Sequence, residues 1–304
     1  MGQNTYHGVS ADFQHRFAKG VYFRTNYTFS KNIDNSTNEL FSSYVNPRRA
    51  QDGYNFPNER GRSALDINHK FAMVWVYDLP NLQTEHNFLK LLAHGWQWNG
   101  TYIWESGQPV TPLSGTDGND NGDPAGDRTI LNPSGVGLSA SGVNAICNAG
   151  PGGATSIVGR DAVTGNWSCG TDLSDTALVD SHIVGYVALD PTGRFVQAEV
   201  GTLANAGRNT VNTPALNIWN MGLFKSTKLT ERFTLQFRAE TYDTFNHRNF
   251  TIGLPSNNGA LDSTTNTNPL NAGYIFVTSG SSFLNSKIFN GGSRTMQLGL
   301  RLQF

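Results

Sequence analysis

The closing stretch Thr295–Phe304, TMQLGLRLQF, alternates without a fault: Met296, Leu298, Leu300, Leu302 and Phe304 fall on one side of an extended chain, and Thr295, Gln297, Gly299, Arg301 and Gln303 on the other. Successive side chains of a strand point to opposite faces, so a period of two that separates apolar from polar residues marks a strand with two unlike surroundings. Six segments upstream read the same way. In the first, His7, Val9, Ala11, Phe13, His15 and Phe17 oppose Gly8, Ser10, Asp12, Gln14 and Arg16. A tight turn at Ala18, Lys19 and Gly20 leads into the second, where Val21, Phe23, Thr25, Tyr27 and Phe29 oppose Tyr22, Arg24, Asn26, Thr28 and Ser30, a hairpin with matched faces.

The third segment runs from Leu65 to Leu79 and sets Phe71, Met73, Trp75 and Tyr77 against Asp66, Asn68, Lys70 and Ala72. The fourth, Gly95 to Gly107, puts Trp96, Trp98, Tyr102 and Trp104 on one face, the aromatic density of a membrane-interface belt. The fifth, Leu216 to Leu229, carries Trp219, Met221 and Leu223 against Asn220 and Gly222, and turns at Thr230, Glu231 and Arg232 into the sixth. There Phe233, Leu235, Phe237 and Ala239 oppose Thr234, Gln236, Arg238, Glu240 and Tyr242.

Composition agrees with strands. Of 304 residues 38% are hydrophobic and 11% aromatic, with 33 glycines, which favours strands and turns over helices. Lys plus Arg number 22 against 23 Asp plus Glu, so no basic field exists to hold a nucleic acid. No apolar run approaches the roughly 18 residues of a membrane helix, and the first residues, MGQNTYHGVS, do not read as a signal peptide. If this chain crosses a membrane, it does so with strands.

Connection lengths give the organisation. Tight turns follow strands one and five, and an intermediate connection with room for a short helix at Glu85–Ala93 follows strand three. Long connections, expected to lack regular structure of their own, follow strands two, four and six: Asn32–Ala64, Gln108–Ala215 and His247–Ser293. Short turns at one rim, long loops at the other, apolar exteriors and polar lumens describe a membrane β-barrel. The fold class expected is therefore all-β, an antiparallel transmembrane β-barrel segment of about seven strands with long extracellular loops and a periplasmic C-terminus. Seven antiparallel strands cannot close without a parallel seam, so the barrel is expected to be incomplete. The competing expectation is a soluble antiparallel sandwich, in which the apolar faces meet in a core.

Several phrases, taken in order, carry a resemblance: DINHKFAMVWVYDLP at Asp66–Pro80, GWQWNGTYIWESGQPVTP at Gly95–Pro112, FRAETYDTFNHRNF at Phe237–Phe250, and the closing RTMQLGLRLQF. Together they resemble the C-terminal barrel of TonB-dependent receptors, particularly the Oar-like group, over most of the chain. The resemblance implies a barrel of about 22 strands, of which residues 1–304 supply the last part, with the plug domain and the N-terminal strands absent. It implies outer-membrane lipid as surroundings in a Gram-negative-type bacterium, barrel-assembly machinery that reads Phe304 as a signal, TonB as a partner through a missing N-terminal part, and an unknown solute such as a siderophore, oligosaccharide or peptide. A passive porin or adhesin barrel is the alternative, and a soluble carbohydrate-binding domain a third.

Little in the chain reads as catalysis. His15, His69 and His94 lie on separate elements without zinc-ligand spacing, and no H-E-x-x-H, G-x-S-x-G or Walker A sequence occurs. Arg238, Glu240 and Tyr242 read as lumen lining, and no enzymatic activity is expected. Asp117, Asn119, Asn121 and Asp123, followed by Asp127, space hard oxygen donors as the first half of a Ca²⁺ loop does. Position twelve is Arg128 instead of the bidentate Glu, so either Asp127 substitutes or the stretch is turn chemistry. Cys147 and Cys169 fit one disulfide in an oxidising compartment and equally fit two unrelated thiols. Tyr44, Tyr54, Phe56 and Trp167 are loop aromatics suited to stacking on a ligand or to packing loops together.

Overall fold

The computed structural model describes residues 2–17, 20–35, 50–81, 83, 85–114, 116–121, 127–148, 155–159, 169, 183–212, 214–247, 249 and 294–304. Seven long strands stand in chain order, each antiparallel to the next: β1 (Asn4–Arg16), β2 (Val21–Asp34), β3 (His69–Asp78), β4 (Trp96–Glu105), β5 (Leu216–Lys228), β6 (Thr234–Tyr242) and β7 (Thr295–Gln303). The two-residue strand Gly61–Arg62 joins the side of β2. The long strands run from 9 to 14 residues, and a tilted membrane-crossing strand needs about 9–11. Among the described residues the wall is open at its two ends, β1 and β7.

The register carries each strand's alternation across the whole wall. One row reads Val21, Tyr77, Trp98, Leu223, Ala239, Leu298, and it is apolar from end to end. One residue along, the row reads Tyr22, Val76, Asn99, Gly222, Glu240, Gln297. The apolar face is not covered by a second layer among the described residues: Val9 is 72% exposed, Leu298 64% and Leu300 73%. Leaving a Val or Leu side chain in water forgoes about 1.5–3 kcal/mol each, so a soluble sandwich would have buried this face.

At the middle of the wall the apolar face becomes an aromatic mat. Tyr102 stacks on Trp219 at 4.0 Å between ring centroids, and Trp75 packs against Trp98 at 5.3 Å and Trp219 at 6.1 Å. Gly100 makes this possible. A Cβ there would collide with the Trp75 ring and stand 2.5 Å from the Asn220 carbonyl oxygen. The β1–β2 turn contains Gly20 at φ 75°, a left-handed conformation that glycine tolerates; Ala18 and Lys19 lie outside the described residues. The β5–β6 turn closes with the Leu229 amide donating to the Phe233 carbonyl at 2.9 Å.

Two expectations need correction, and a third, the short helix between β3 and β4, is met. The third strand starts at His69 rather than Leu65, because the chain turns at Ser63–Asp66, where the Asp66 amide bonds the Ser63 carbonyl at 3.1 Å. The helix between β3 and β4, α1, covers Asn87–Ala93. The connection from β4 to β5 has structure of its own. Val143–Asn148 pairs with Thr155–Val158 and Ile183–Ala188, Phe195–Val196 pairs with Ile130–Leu131 and Ala140–Ser141, and Pro109–Val110 pairs with Val211–Asn212. These short strands escape a periodicity search because several are only two residues long. Of the expected connection His247–Ser293, His247 and Asn249 are among the described residues and the rest lies outside them.

Candidate functional site

Two surfaces are built with evident care: the polar face of the wall and the loop assembly at the rim where the long connections emerge. On the polar face, side chains pair across strands. Arg24 bridges Asp12 at 2.9 Å and Lys70 bridges Glu105 at 2.6 Å. Gln97 donates to Asp78 at 2.8 Å, Asn220 to Thr101 at 3.2 Å and Gln236 to Ser226 at 3.2 Å. Arg238 Nε donates to Gln236 at 2.7 Å, and its guanidinium lies 5.1 Å from the Phe224 ring centroid. Glu240 stands between Gly222 and Gln297, and Tyr242 pairs with Thr295. Arg238, Glu240 and Tyr242 thus share one face. An open concavity of about 390 Å³ lies there, lined among others by Gln97, Asn99, Thr101, Asn220, Glu240 and Tyr242.

The deepest burial in the described chain is in the loop assembly, and most of it is polar. Thr111, Ser114, Thr129 and Asn209 are fully buried. The connection after β4 is sewn to the end of β2 and to the connection that follows it by ion pairs. Arg208 Nη2 pairs with Asp34 and also donates to the Asp34 carbonyl at 2.7 Å, while its Nε donates to the Glu59 carbonyl at 3.1 Å. Arg128 pairs with Glu59, whose other oxygen accepts the Gln51 amide at 3.2 Å. Burial lowers the Arg128 pKa, and the Glu59 charge opposes that shift. Arg62 bridges Asp66 at 2.7 Å and donates to Asn212 at 2.8 Å. Asn209, held at φ 56°, donates to the Arg62 carbonyl at 2.6 Å and accepts from Thr111 at 3.0 Å. The members of a buried polar network fix one arrangement in so far as they satisfy one another, and Arg208, Asn209, Thr111 and Asp34 do so here.

This network explains residues that the sequence reading placed elsewhere. Arg128, which broke the Ca²⁺-loop pattern, is the buried partner of Glu59. Asp66, read as a polar strand position, is buried and accepts the Asn32 amide at 2.6 Å. Within the Ca²⁺-like stretch, Asp127 accepts the Gly118 amide at 2.6 Å and the Asn119 amide at 3.3 Å. The Asn121 amide donates to Asp117 at 2.9 Å and to Asn119 at 3.2 Å. Asp123 lies outside the described residues. Among the described residues no three His, Cys, Asp or Glu side chains are grouped to hold a metal ion.

Cys147 and Cys169 are joined as a disulfide with a Cα separation of 5.3 Å, next to buried Val143 and Ala145. Tyr54 and Phe56 are exposed, while Tyr44 and Trp167 lie outside the described residues. His69 stands on the apolar face, sharing a 2.8 Å hydrogen bond with the Tyr27 hydroxyl. Phe304, just past β7, is 96% exposed.

A family model described as outer membrane beta barrel domain matches residues 1–297. The chain belongs to that family. No curated protein and no solved structure matches it. Membership accounts for the bare apolar face, since an outer-membrane barrel domain turns that face to lipid and its polar face to water. This barrel-domain family is non-catalytic, and the chain is not an enzyme.

Proposed function

We propose that the chain is the C-terminal wall of a TonB-dependent outer-membrane receptor, and that the complete receptor takes up a solute actively. The observation that carries this reading is the stacking of an ion-paired loop assembly on a polar wall. The Arg208–Asp34 and Arg128–Glu59 pairs hold two long connections together, and the polar face leads away beneath them. A loop platform of fixed shape suits solute capture, and a polar wall suits passage. The phrases shared with the Oar-like group support the same reading.

On this proposal the long connections face the medium and bind a siderophore, oligosaccharide or peptide. Arg238, Glu240 and Tyr242 line the lumen, and the C-terminus is periplasmic. Phe304 serves as the barrel-assembly signal. TonB is engaged through a segment outside these 304 residues. The test is uptake by cells whose receptor includes this chain, with and without TonB. Accumulation of a solute that stops when TonB is removed supports active transport. Equal permeation in both strains would instead make the barrel a passive pore.

A further inference from the structure

α1 hangs on the apolar side of the wall. Lys225 Nζ donates to the carbonyls of Leu91, Leu92 and His94 at 2.7, 3.0 and 3.0 Å, and Trp96 Nε1 donates to the Leu92 carbonyl at 2.7 Å. Lys225 and Trp96 are register partners on β5 and β4, with the ammonium 5.0 Å from the indole centroid. Both alternate in phase with Leu223 and Trp98, on the face read as lipid-facing. A cation that satisfies the last carbonyls of a helix fixes its C-terminal end. Here that end is fixed to the outside of the wall, at the rim that carries the short turns.

The rest of the helix is largely uncovered among the described residues. None of Asn87–Ala93 is buried, and Phe88, Leu89, Leu91 and Leu92 are 69%, 43%, 52% and 51% exposed. Phe88, Leu91 and Leu92, at i, i+3 and i+4, share one stripe. Seven residues are too few for a helix to persist in water on propensity alone, so a helix this short and this apolar needs an environment that takes up its stripe.

We propose that α1 is an interfacial anchor, with Phe88, Leu91 and Leu92 inserted at the headgroup and acyl boundary of the phospholipid leaflet around the short-turn rim. Continuity decides for lipid over a protein partner. The helix is fastened to the same face on which the wall presents its apolar side chains, and its two fastenings, an indole and a lysine, are the side chains that sit at a membrane interface with an apolar body and a wet tip. Lys225 would be costly at the bilayer centre, but at the rim three carbonyls and an indole surround its ammonium. An amphipathic helix lying in the interface plane is the known physical form of such an anchor. The inference depends on the membrane setting of the family and is independent of active uptake.

The test uses the full chain reconstituted in phosphatidylcholine vesicles, as variants with one added cysteine, Phe88→Cys, Leu92→Cys or Leu300→Cys, carrying a polarity-sensitive fluorophore. The native cysteines are bridged and take no label. Lipids bearing a nitroxide near the headgroup end of the acyl chain should quench the labels at 88 and 92, with emission shifted to the blue. Water-like, unquenched labels at 88 and 92 overturn the proposal. If the label at 300 is still quenched the fault lies with the anchor alone, and if it is not, the lipid-facing wall falls as well.

Discussion

Arg208 and Asp34 form an ion pair across 174 residues of sequence, with side chains 2% and 3% exposed. Burying the pair gains little over an apolar contact of the same shape, but removing one partner strands the other charge without water. Arg208→Met should therefore cost the loop assembly about 3–5 kcal/mol, whereas Asp34→Leu with Arg208→Met should recover most of it. Hydrogen exchange of the amides at Gln51 and Asn209 reads the effect. Equal protection in the single variant and the native chain would show that the pair does not hold the loops.

Gly100 sits beneath Trp75, with the Asn220 carbonyl oxygen 2.5 Å from where a Cβ would be. Backbone on one side and an indole on the other leave no room to relax, so Gly100→Val should destabilise the wall by at least the roughly 1–3 kcal/mol of an overpacked core. The fraction of chain that keeps its compact, heat-sensitive mobility on a gel is the readout. A variant that folds like the native chain would mean that the aromatic mat is looser than its geometry.

Cys147 and Cys169 close a loop of sequence separation 22 beside the strands Val143–Asn148 and Ile183–Ala188. Loop-closure entropy for that length is worth about 3 kcal/mol. Intact mass without reductant should show the bridge, and reduction should raise protease cleavage within the connection from β4 to β5 while leaving β6 and β7 protected. Two free thiols in the untreated protein would remove the bridge.

At the turn Asp190–Gly193, Asp190 Oδ1 accepts the Thr192 hydroxyl at 2.7 Å and the Thr192 amide at 2.8 Å. These bonds favour the charged carboxylate and hold its pKa below the usual Asp value. A folded-state pKa below the unfolded one stabilises the turn above the unfolded value, and the benefit is lost as pH falls through the folded value. Thr192→Val should raise the Asp190 pKa toward an ordinary carboxylate, as followed by carboxyl carbon chemical shifts. No change would assign the shift to another group.

The wall was legible in the sequence because its signal is local. Every strand from His7 to Gln303 announces its faces through residues two apart, and register then follows from neighbours in the chain. The same locality misled at Leu65–Asn68, where alternation runs on although the backbone has already turned and Asp66 is buried beside Arg62. The loop assembly was not legible. Arg208 finds Asp34 and Arg128 finds Glu59 through three-dimensional closure, and no spacing rule relates them. Arg128 stood out in the sequence as a residue that broke a pattern, and that anomaly hinted at a buried partner. Lys225, a charge on the greasy phase of β5, is likewise explained only in three dimensions, by the α1 carbonyls and the Trp96 ring.

The central claim is that the two faces of the wall meet lipid and water respectively, and β6 tests it best because strands flank it on both sides. Single cysteines at Gln236, Phe237, Arg238, Ala239, Glu240 and Thr241, in chain reconstituted into vesicles, are exposed to a charged, membrane-impermeant maleimide. The expected result is a period of two, with labelling at 236, 238 and 240 and protection at 237, 239 and 241. Uniform labelling, or labelling in the opposite phase, would contradict the membrane wall.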